Sequence, residues 1–258
     1  MKKSLSVILV LAACIPLTAC AGVQALAKQR LNNMQASEYF RKPAEIALVK
    51  AAGEGGVQRM QQAIAHGADV NAVGKDGMAP LIWAVGVHPN LKGFKYLLAH
   101  GANPNTVTDL PESFNSDKAY VIEIAYEQPD PRFMKALLEA GADPDTEVGG
   151  KATLLSAASS DDRLAQIKLL VEYGADVNHR SKLNATPLYY AVFGQKYKTA
   201  LFLLRSGADP TIEDKGGDSA LDEIKSERAR EKKFADKLPG YSEFIEALKK
   251  RGYLKDNF

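Results

Sequence analysis

The segment ATPLYYAVFGQKYKTALFLLRSGADPT, residues 185–211, carries the start and the stop signals of two short helices. Thr186 before Pro187 predicts a helix that begins at the proline, because proline needs no amide hydrogen in a first turn and threonine can cap it. Gly207 predicts the end of the second helix, because glycine adopts the left-handed conformation that follows a helix at little cost. Asp209 predicts a turn in which its carboxylate accepts backbone amide hydrogens. The segment therefore predicts a helix-turn-helix unit closed by a turn.

The closing pentapeptide recurs along the chain. It is written GADVN at 67, GANPN at 101, GADPD at 141, GADVN at 174 and GADPT at 207, at intervals of 34, 40, 33 and 33 residues. The letters that open the unit recur too, as APLIWA at 79–84, YVIEIA at 120–125 and ATLLSA at 152–157. A period of this size is typical of solenoids, in which each unit buries its apolar face against the next.

Both sets of letters resemble the ankyrin repeat, whose first helix opens with a TPLH box. The resemblance implies an all-α ankyrin-repeat solenoid of stacked helix-turn-helix units with β-turn and finger loops. The histidine of the box is absent, and Ile82, Glu123, Leu155 and Tyr189 stand in its place. We expect apolar contacts to replace the hydrogen bonds that this histidine makes between repeats in the family.

The N-terminus predicts a signal peptide. Lys2 and Lys3 precede an apolar run from Leu5 to Leu17, which is too short to span a bilayer comfortably. The run ends in LTAC, residues 17–20, which resembles the lipobox of bacterial lipoproteins.

The lipobox resemblance implies that Cys20 receives a lipid and anchors the chain to a membrane. Ala21 follows it, and not the Asp that usually retains such proteins in the inner membrane, so we expect an outer-membrane lipoprotein facing the periplasm. Ordinary cleavage after ACA, residues 19–21, stays open as the alternative.

These resemblances divide the chain into four parts. A cap is needed at each end of the array, because a terminal repeat must present a polar outer face. The predicted parts are a lipoprotein signal peptide at 1–19, a lipid anchor with a short tether and an N-terminal capping helix at 20–43, ankyrin repeats at 44–71, 72–105, 106–145, 146–178 and 179–211, which together fill 44–211, and a degenerate C-terminal capping repeat at 212–258.

Composition excludes one class of partner. Removal of Lys2 and Lys3 with the signal peptide lowers the basic residues from 33 to 31, which equals the 31 acidic residues. The sequence contains no basic stripe or arm, so electrostatics gives no support to nucleic-acid binding. We expect a monomer.

No assembled catalytic motif is present. The sequence lacks GxSxG, P-loop, HExxH and CxxC patterns, which predicts a protein that is not an enzyme and needs no cofactor. His66 and His100 stand one repeat apart, but surface positions at helix ends explain them better than a metal does. Asp69, Asp143, Asp176 and Asp209 recur with the turns, and turn formation explains them better than calcium, since successive repeats are about 10 Å apart.

A protein-binding surface is predicted on the finger loops and on the first-helix positions that the family exposes to partners. The third repeat is about six residues longer than the family period, and its loop at 108–117 is either a contact element or tolerated slack. Most aromatic residues near the first helices are expected to fill the core. The predicted contact residues are Lys75, Asp76, Val87, Phe114, Asn115, Glu127, Arg180, Lys182, Phe193, Asp214 and Lys215.

The resemblances imply a non-enzymatic protein-binding module, lipid-anchored in the bacterial envelope. One role is that of an immunity protein that neutralises a secreted antibacterial effector. A second is that of a scaffold or assistance factor for a resident periplasmic enzyme. An enzyme is the third reading, and no identifiable pair of nucleophile and base supports it.

Overall fold

A computed structural model describes residues 34–109, 118–148, 152–159, 163–235 and 238–255. The chain divides into two compact units, unit 1 up to Asp143 and unit 2 from Pro144. The predicted signal peptide at 1–19 and the lipidation site Cys20 lie outside the described residues.

Unit 1 consists of short helices joined by turns and one antiparallel strand pair. Strands β1 and β2 pair Val107 with Tyr120 and Asp109 with Lys118. The elements in chain order are α1 (Ala36–Tyr39), α2 (Pro43–Gly53), α3 (Val57–Ala65), a 3-10 turn (Lys75–Gly77), α4 (Pro80–Ile82), a π-helical segment (Trp83–Val87), α5 (Leu91–Ala99), β1 (Val107–Asp109), β2 (Lys118–Tyr120), α6 (Val121–Glu127) and α7 (Arg132–Glu139).

Unit 2 repeats this plan and ends with longer helices. Its strands β3 and β4 form a two-residue antiparallel pair that joins Glu147 to Thr153 and Val148 to Ala152. The elements in chain order are β3 (Glu147–Val148), β4 (Ala152–Thr153), α8 (Leu154–Ala158), α9 (Leu164–Glu172), α10 (Pro187–Phe193), α11 (Tyr197–Arg205), α12 (Ala220–Ala235) and α13 (Tyr241–Lys250).

The segment 185–211 folds as its letters predict. Pro187 is the first residue of α10, and the Thr186 hydroxyl accepts a hydrogen bond from the Tyr189 amide at 3.2 Å. Gly207 follows α11 with a φ of 100°. The Asp209 carboxylate accepts the Thr211 amide at 2.9 Å, which is the expected turn. The capping and turn predictions for this unit are confirmed.

A second hydrogen-bond system joins successive turns, and it depends on the last letter of the pentapeptide. In unit 1 the Asn71 side chain donates to the Gly101 carbonyl at 2.8 Å and accepts from the Asn103 amide at 2.7 Å. The side-chain oxygen of Asn105 likewise accepts a hydrogen bond from the Asp143 amide at 2.9 Å. These side chains satisfy backbone groups of the next turn and thereby fix the spacing of the repeats.

Unit 2 uses the same device. Asn178 donates to the Gly207 carbonyl at 3.4 Å and accepts from the Asp209 amide at 2.8 Å, and the Asp145 carboxylate accepts from the Asp176 amide at 2.9 Å. Polar bonds between turns therefore join the repeats. The expectation that apolar contacts replace the bonds of the box histidine stays a prediction.

Two helices, α12 and α13, form within the segment 212–258 that we predicted as a C-terminal cap. Ser219 caps α12 reciprocally, because its hydroxyl accepts the Asp222 amide at 3.2 Å while the Asp222 carboxylate accepts the Ser219 amide at 3.2 Å. Helix α13 follows, with Phe244 buried and Gly252 beyond its end at a φ of 78°. At the other end, α1 (Ala36–Tyr39) lies within the part at 20–43 for which we predicted a capping helix, and residues 20–33 lie outside the described ranges.

Candidate functional site

The finger loop of unit 1 carries two predicted contact residues. Lys75 is exposed and Asp76 is half-buried. The Lys75 ammonium lies 4.0 Å from the Asp76 carboxylate, and the Asp76 carbonyl accepts a hydrogen bond from the Thr108 hydroxyl at 2.9 Å. This loop is therefore held by its neighbour in unit 1, and its cation has an acidic partner within the loop.

Val87 is a wrong prediction. Its side chain is only 2% exposed, so it belongs to the core of unit 1 and offers nothing to a partner. The cause is the π-helical segment, in which the His88 amide reaches back five residues to the Trp83 carbonyl at 2.9 Å. This wider turn rotates Val87 away from the position that an α-helix would give it.

Of the remaining predicted contact residues in unit 1, only one lies in the described part of the chain. Glu127 is half-buried at the end of α6. Phe114 and Asn115 lie outside the described residues, and so does the centre of the 108–117 loop. Their proposed contact role stays a prediction.

The finger loops of unit 2 expose their predicted residues more fully. Arg180, Lys182 and Lys215 are exposed, and Asp214 is half-buried. Phe193, at the end of α10, has 66% of its surface exposed. The structure thus leaves these five side chains on or near the surface of one unit.

Hydrogen bonds connect these loops to α10. The Ser181 hydroxyl lies 3.1 Å from the Tyr190 hydroxyl and accepts the Leu183 amide at 3.2 Å. The Lys215 amide donates to the Leu183 carbonyl at 2.8 Å, which ties the loop at 213–218 to the loop at 180–184. The two finger loops and the helix therefore form one continuous surface, which we call the finger surface.

Leu183 is a contact candidate that the sequence reasoning missed. It is 60% exposed, and a leucine flanked by exposed cations is the kind of apolar residue found in protein interfaces. Its signal was available in the letters RSKLN at 180–184, where a lone large apolar residue stands in a polar loop.

The cations of the finger surface have no acidic partner within the described part of the chain. Arg180, Lys182 and Lys215 make no ion pair with any described carboxylate, in contrast to Lys75 in unit 1. The Asp214 carboxylate is engaged with its own turn, where it accepts the Gly216 amide at 2.7 Å and the Asp218 amide at 3.2 Å.

The aromatic residues near the first helices, most of which we expected in the core, are divided. Trp83 and Tyr126 are buried in unit 1, whereas Tyr189 and Tyr190 are half-buried in unit 2. Phe193 is the exposed member, and its ring stacks on Tyr189 with centroids 6.2 Å apart and an interplanar angle of 14°.

Glu123 occupies the place of the box histidine in α6 and has an unusual pKa. Burial raises the pKa of this carboxyl from 4.5 to about 7, the Tyr120 amide opposes the rise and the charge of Glu127 adds to it. The carboxylate accepts the Tyr120 amide at 2.6 Å and so caps the helix that follows β2. This group has a structural task, and no nucleophile stands beside it among the described residues.

A second buried polar group joins α12 to the preceding repeat. The Tyr197 hydroxyl donates to the Glu227 carboxylate, and the Gln195 side chain donates to the same carboxylate at 3.0 Å. Burial, and next the bond to Glu227, raise the pKa of Tyr197. We did not anticipate this cluster, and its closed hydrogen bonding fits a structural link.

The two repeat-spaced histidines and the turn aspartates take part in local hydrogen bonds. The His66 and His100 rings each lie within hydrogen-bond distance of the carbonyl four residues earlier, at 2.7 Å from Gln62 and 2.8 Å from Tyr96. Within the described ranges, no three histidine, cysteine or carboxylate side chains come together as a metal site. The Asp69 and Asp176 carboxylates each accept the amide two residues on, at 2.8 Å, as turn-forming residues do.

One open depression lies between α11 and α13 in unit 2, with a volume of about 950 Å³. Its lining mixes charges of both signs. The lining residues are Arg205, Ser242, Glu243, Glu246, Ala247, Lys250 and Arg251.

Comparison with known proteins agrees with the repeats described above. The family model described as "Ankyrin repeats (3 copies)" matches residues 122–214, and the model "Ankyrin repeat" matches residues 76–109. The chain is an ankyrin-repeat protein. The fold is that of a protein-interaction scaffold. No helix among the described residues is both long and apolar enough to cross a membrane.

Solved structures share this ankyrin-repeat fold. An ankyrin repeat domain from Acinetobacter baumannii AYE superimposes with a TM-score of 0.62 at 23% identity, over 80% of this chain and 97% of the other. The ankyrin repeat protein EF0377 gives a TM-score of 0.58 at 23% identity, over 78% of this chain and 96% of the other. At this identity the likeness concerns the fold.

Curated relatives are similar only in their repeats. The ADP-ribosylation factor GTPase-activating protein AGD4 of Arabidopsis thaliana is 45% identical over 56 residues, which are 22% of this chain and 7% of that protein. The human mitochondrial disaggregase is 26% identical over 190 residues, which are 71% of this chain and 25% of that protein. The chain spans a quarter or less of these two relatives, so the activities in their names do not carry over to this ankyrin-repeat chain.

Proposed function

We propose that the chain is a non-enzymatic module of the bacterial envelope that binds a protein partner through its finger loops. The observation that supports this most is the finger surface, which exposes a leucine, a phenylalanine and three cations that make no ion pair with the described carboxylates. These cations can pair with acidic groups of a partner without first breaking an internal ion pair.

The placement of the module rests on its N-terminal letters. A lipid on Cys20 would hold the protein at the membrane, with the repeats in the periplasm of an outer-membrane lipoprotein. Replacement of Cys20 by serine is then expected to move the protein from the membrane fraction to the soluble fraction. A Cys20→Ser chain that stays with the membrane would contradict the lipobox reading.

Within the envelope we favour an immunity protein that inhibits a secreted antibacterial effector. The export signal and the protein-binding fold support this role, and they support equally a scaffold for a resident periplasmic enzyme. The chemical identity of the partner separates the two. A toxin that loses activity on binding supports immunity, whereas a resident enzyme that keeps or gains activity supports the scaffold.

The test is capture of the partner from envelope extracts with two variants of the full chain. We expect Leu183→Ser to reduce the recovery of the partner strongly, because it removes an exposed apolar side chain from the finger surface. Val73→Ser is the matched control, since Val73 is 79% exposed on the finger loop of unit 1 and lies outside the finger surface. Equal recovery with both variants would remove the finger surface from the binding site.

A further inference from the structure

One junction in the hydrogen-bond system between turns differs from the others. The last letter of the pentapeptide is Asn at positions 71, 105 and 178, and it is Asp at position 145. Each of the three asparagines accepts an amide of the next turn and donates its side-chain amide to a glycine carbonyl of that turn. Asp145 accepts the Asp176 amide at 2.9 Å, but an ionised carboxylate has no hydrogen to donate. We call the contact between Asp145 and the turn at 174–178 the Asp145 junction.

The Asp145 junction has an oxygen where the other junctions have a donor. In an asparagine junction the side-chain oxygen takes the amide and the side-chain nitrogen meets the glycine carbonyl, as Asn178 does with Asp209 and Gly207. The Asp145 carboxylate is planar like that amide, and one of its oxygens already holds the Asp176 amide, so its second oxygen takes the place of the nitrogen. The glycine of this turn is Gly174, and its carbonyl accepts no hydrogen bond from the described residues.

The charge of Asp145 does not compensate for the missing donor. A charge-assisted hydrogen bond is usually shorter than a neutral one. The Asp145 bond measures 2.9 Å and the three asparagine bonds measure 2.7, 2.9 and 2.8 Å, so no shortening is seen. The bonded Asp176 amide also lies just beyond the C-terminal end of α9 at Glu172, where the helix dipole is negative and the last turn contains no basic residue.

We propose that the Asp145 junction is a built-in point of local opening, at which two turns separate at lower cost than they do at the asparagine junctions. In a solenoid each repeat contacts only its neighbours, so a weaker junction lowers the stability at that place and leaves the other junctions intact. Gly174 is exposed, so water can reach its carbonyl, and the difference lies at the lower end of the range for one hydrogen bond. This conformational device goes beyond the proposed function.

The Asp145 junction lies at the base of the finger loop at 180–184. The His179 amide donates to the Asp176 carbonyl at 3.1 Å, and the loop follows directly. Opening at Asp176 therefore loosens the start of this loop, while its hydrogen bonds to α10 and to the loop at 213–218 stay closed. The loop can then adjust at its base and keep its far side in place.

The direct test is the exchange of single amide hydrogens in the native full chain, followed by NMR. We expect Asp145→Asn to supply the missing donor and to slow the exchange of the Asp176 amide at least about twofold, the lower limit for one hydrogen bond. The unfolding equilibrium constant in urea should fall by a similar factor. The same amide is compared in both proteins, and its sequence neighbours are unchanged.

Asn178→Asp makes the opposite change at another junction of unit 2. It removes the donor to the Gly207 carbonyl and keeps the acceptor for the Asp209 amide. We expect the Asp209 amide to exchange at least about twofold faster, because its junction now has the composition of the Asp145 junction. The Asp176 amide should be unaffected.

Asp143→Asn separates the effect of the donor from that of the charge. It removes a carboxylate from the same pentapeptide without placing a donor at Gly174. Asparagine is compatible with this position, because Asn103 occupies the corresponding place and its side chain accepts the Asn105 amide at 2.9 Å. We expect the Asp176 amide in this variant to exchange as it does in the wild type.

Unchanged exchange of the Asp176 amide in Asp145→Asn would overturn the proposal. Equal slowing in Asp145→Asn and Asp143→Asn would overturn it too, because the charge and not the donor would then control the opening. An Asp209 amide that exchanges at the same rate in Asn178→Asp and in the wild type would show that the donor has no effect at these junctions, which also contradicts the proposal.

Discussion

The first helices of two repeats start with nearly the same letters and end in opposite environments. In unit 1 the letters PLIWAVGV run from α4 through the π-helical segment, and Trp83, Val85 and Val87 are all buried. In unit 2 the letters PLYYAVF form α10, and the last of them, Phe193, is 66% exposed.

The two units differ by one residue in the interval between the start of the first helix and the start of the second. From Pro80 to Leu91, the start of the next helix, there are 11 positions, and from Pro187 to Tyr197 there are 10. The extra residue in unit 1 is accommodated in the wider π-helical turn, which directs its end into the core. The comparison shows that the same box produces core in one unit and ends in an exposed aromatic side chain in the other.

A carboxylate introduced at each of the two helix ends should give the largest difference in stability between the two units. Val87→Glu puts a carboxylate into the core of unit 1, and we expect a loss of at least about 3 kcal/mol in the free energy of unfolding. Phe193→Glu changes an exposed side chain, and the expected change is within about 0.5 kcal/mol. Urea unfolding of both variants measures the difference. Equal stability of the two would contradict the burial of Val87.

A third first helix, α6, adds a pH dependence through Glu123. The folded chain holds the proton of Glu123 more tightly than the unfolded chain, because the pKa rises from 4.5 to about 7 on folding. The stability that this group adds is complete below pH 4.5 and is lost as the pH rises through about 7. The full loss is on the order of 3 kcal/mol.

Glu123→Gln should therefore remove the loss of stability that the titration of Glu123 causes between about pH 5 and 8, because glutamine stays neutral. Glu127→Gln is the control, since Glu127 is the lesser cause of the shift. Thermal unfolding at several pH values follows the effect. Parallel pH profiles of the wild type and Glu123→Gln would show that Glu123 does not titrate as described.

Removal of the hydrogen bonds between turns should lower the stability least, and by similar amounts in the two units. Asn178→Ala removes one acceptor and one donor between the turns at 178 and 207, and we expect a loss of about 1 kcal/mol. Asn71→Ala removes the equivalent bonds in unit 1 and should cost a similar amount. Asn178→Asp keeps the acceptor and is expected to lie between the wild type and Asn178→Ala. A stability equal to that of the wild type in both alanine variants would show that these bonds do not join the repeats.

The sequence predicts the parts of the fold that depend on a single residue and its neighbours. Thr186, Pro187, Gly207 and Asp209 act within a few residues of themselves, so their letters are sufficient. The partners of Asn178 lie 29 to 31 residues away, and only the stacked repeats bring them together. The role of the last pentapeptide letter was therefore not predictable from local patterns.

The binding surface was predicted in part for the same reason. Finger-loop residues such as Lys182 and Lys215 are exposed because a loop of this family has little to pack against. The burial of Val87 could not be predicted from local letters, because it depends on the type of helical turn in which this residue lies. Leu183 was indicated by the polar letters around it, and the structure adds that its backbone is tied to Lys215 while its side chain is exposed.

The central claim is that the repeated letters build the solenoid and that the finger surface of unit 2 binds. Calorimetric titration of the captured partner against two variants, at a temperature where both are folded, tests it most directly. The claim predicts that Leu183→Ala combined with Phe193→Ala lowers the affinity at least about tenfold. It also predicts that Asn178→Ala, which is less stable, binds like the wild type. Unchanged affinity in the double variant together with weakened binding by Asn178→Ala would contradict it.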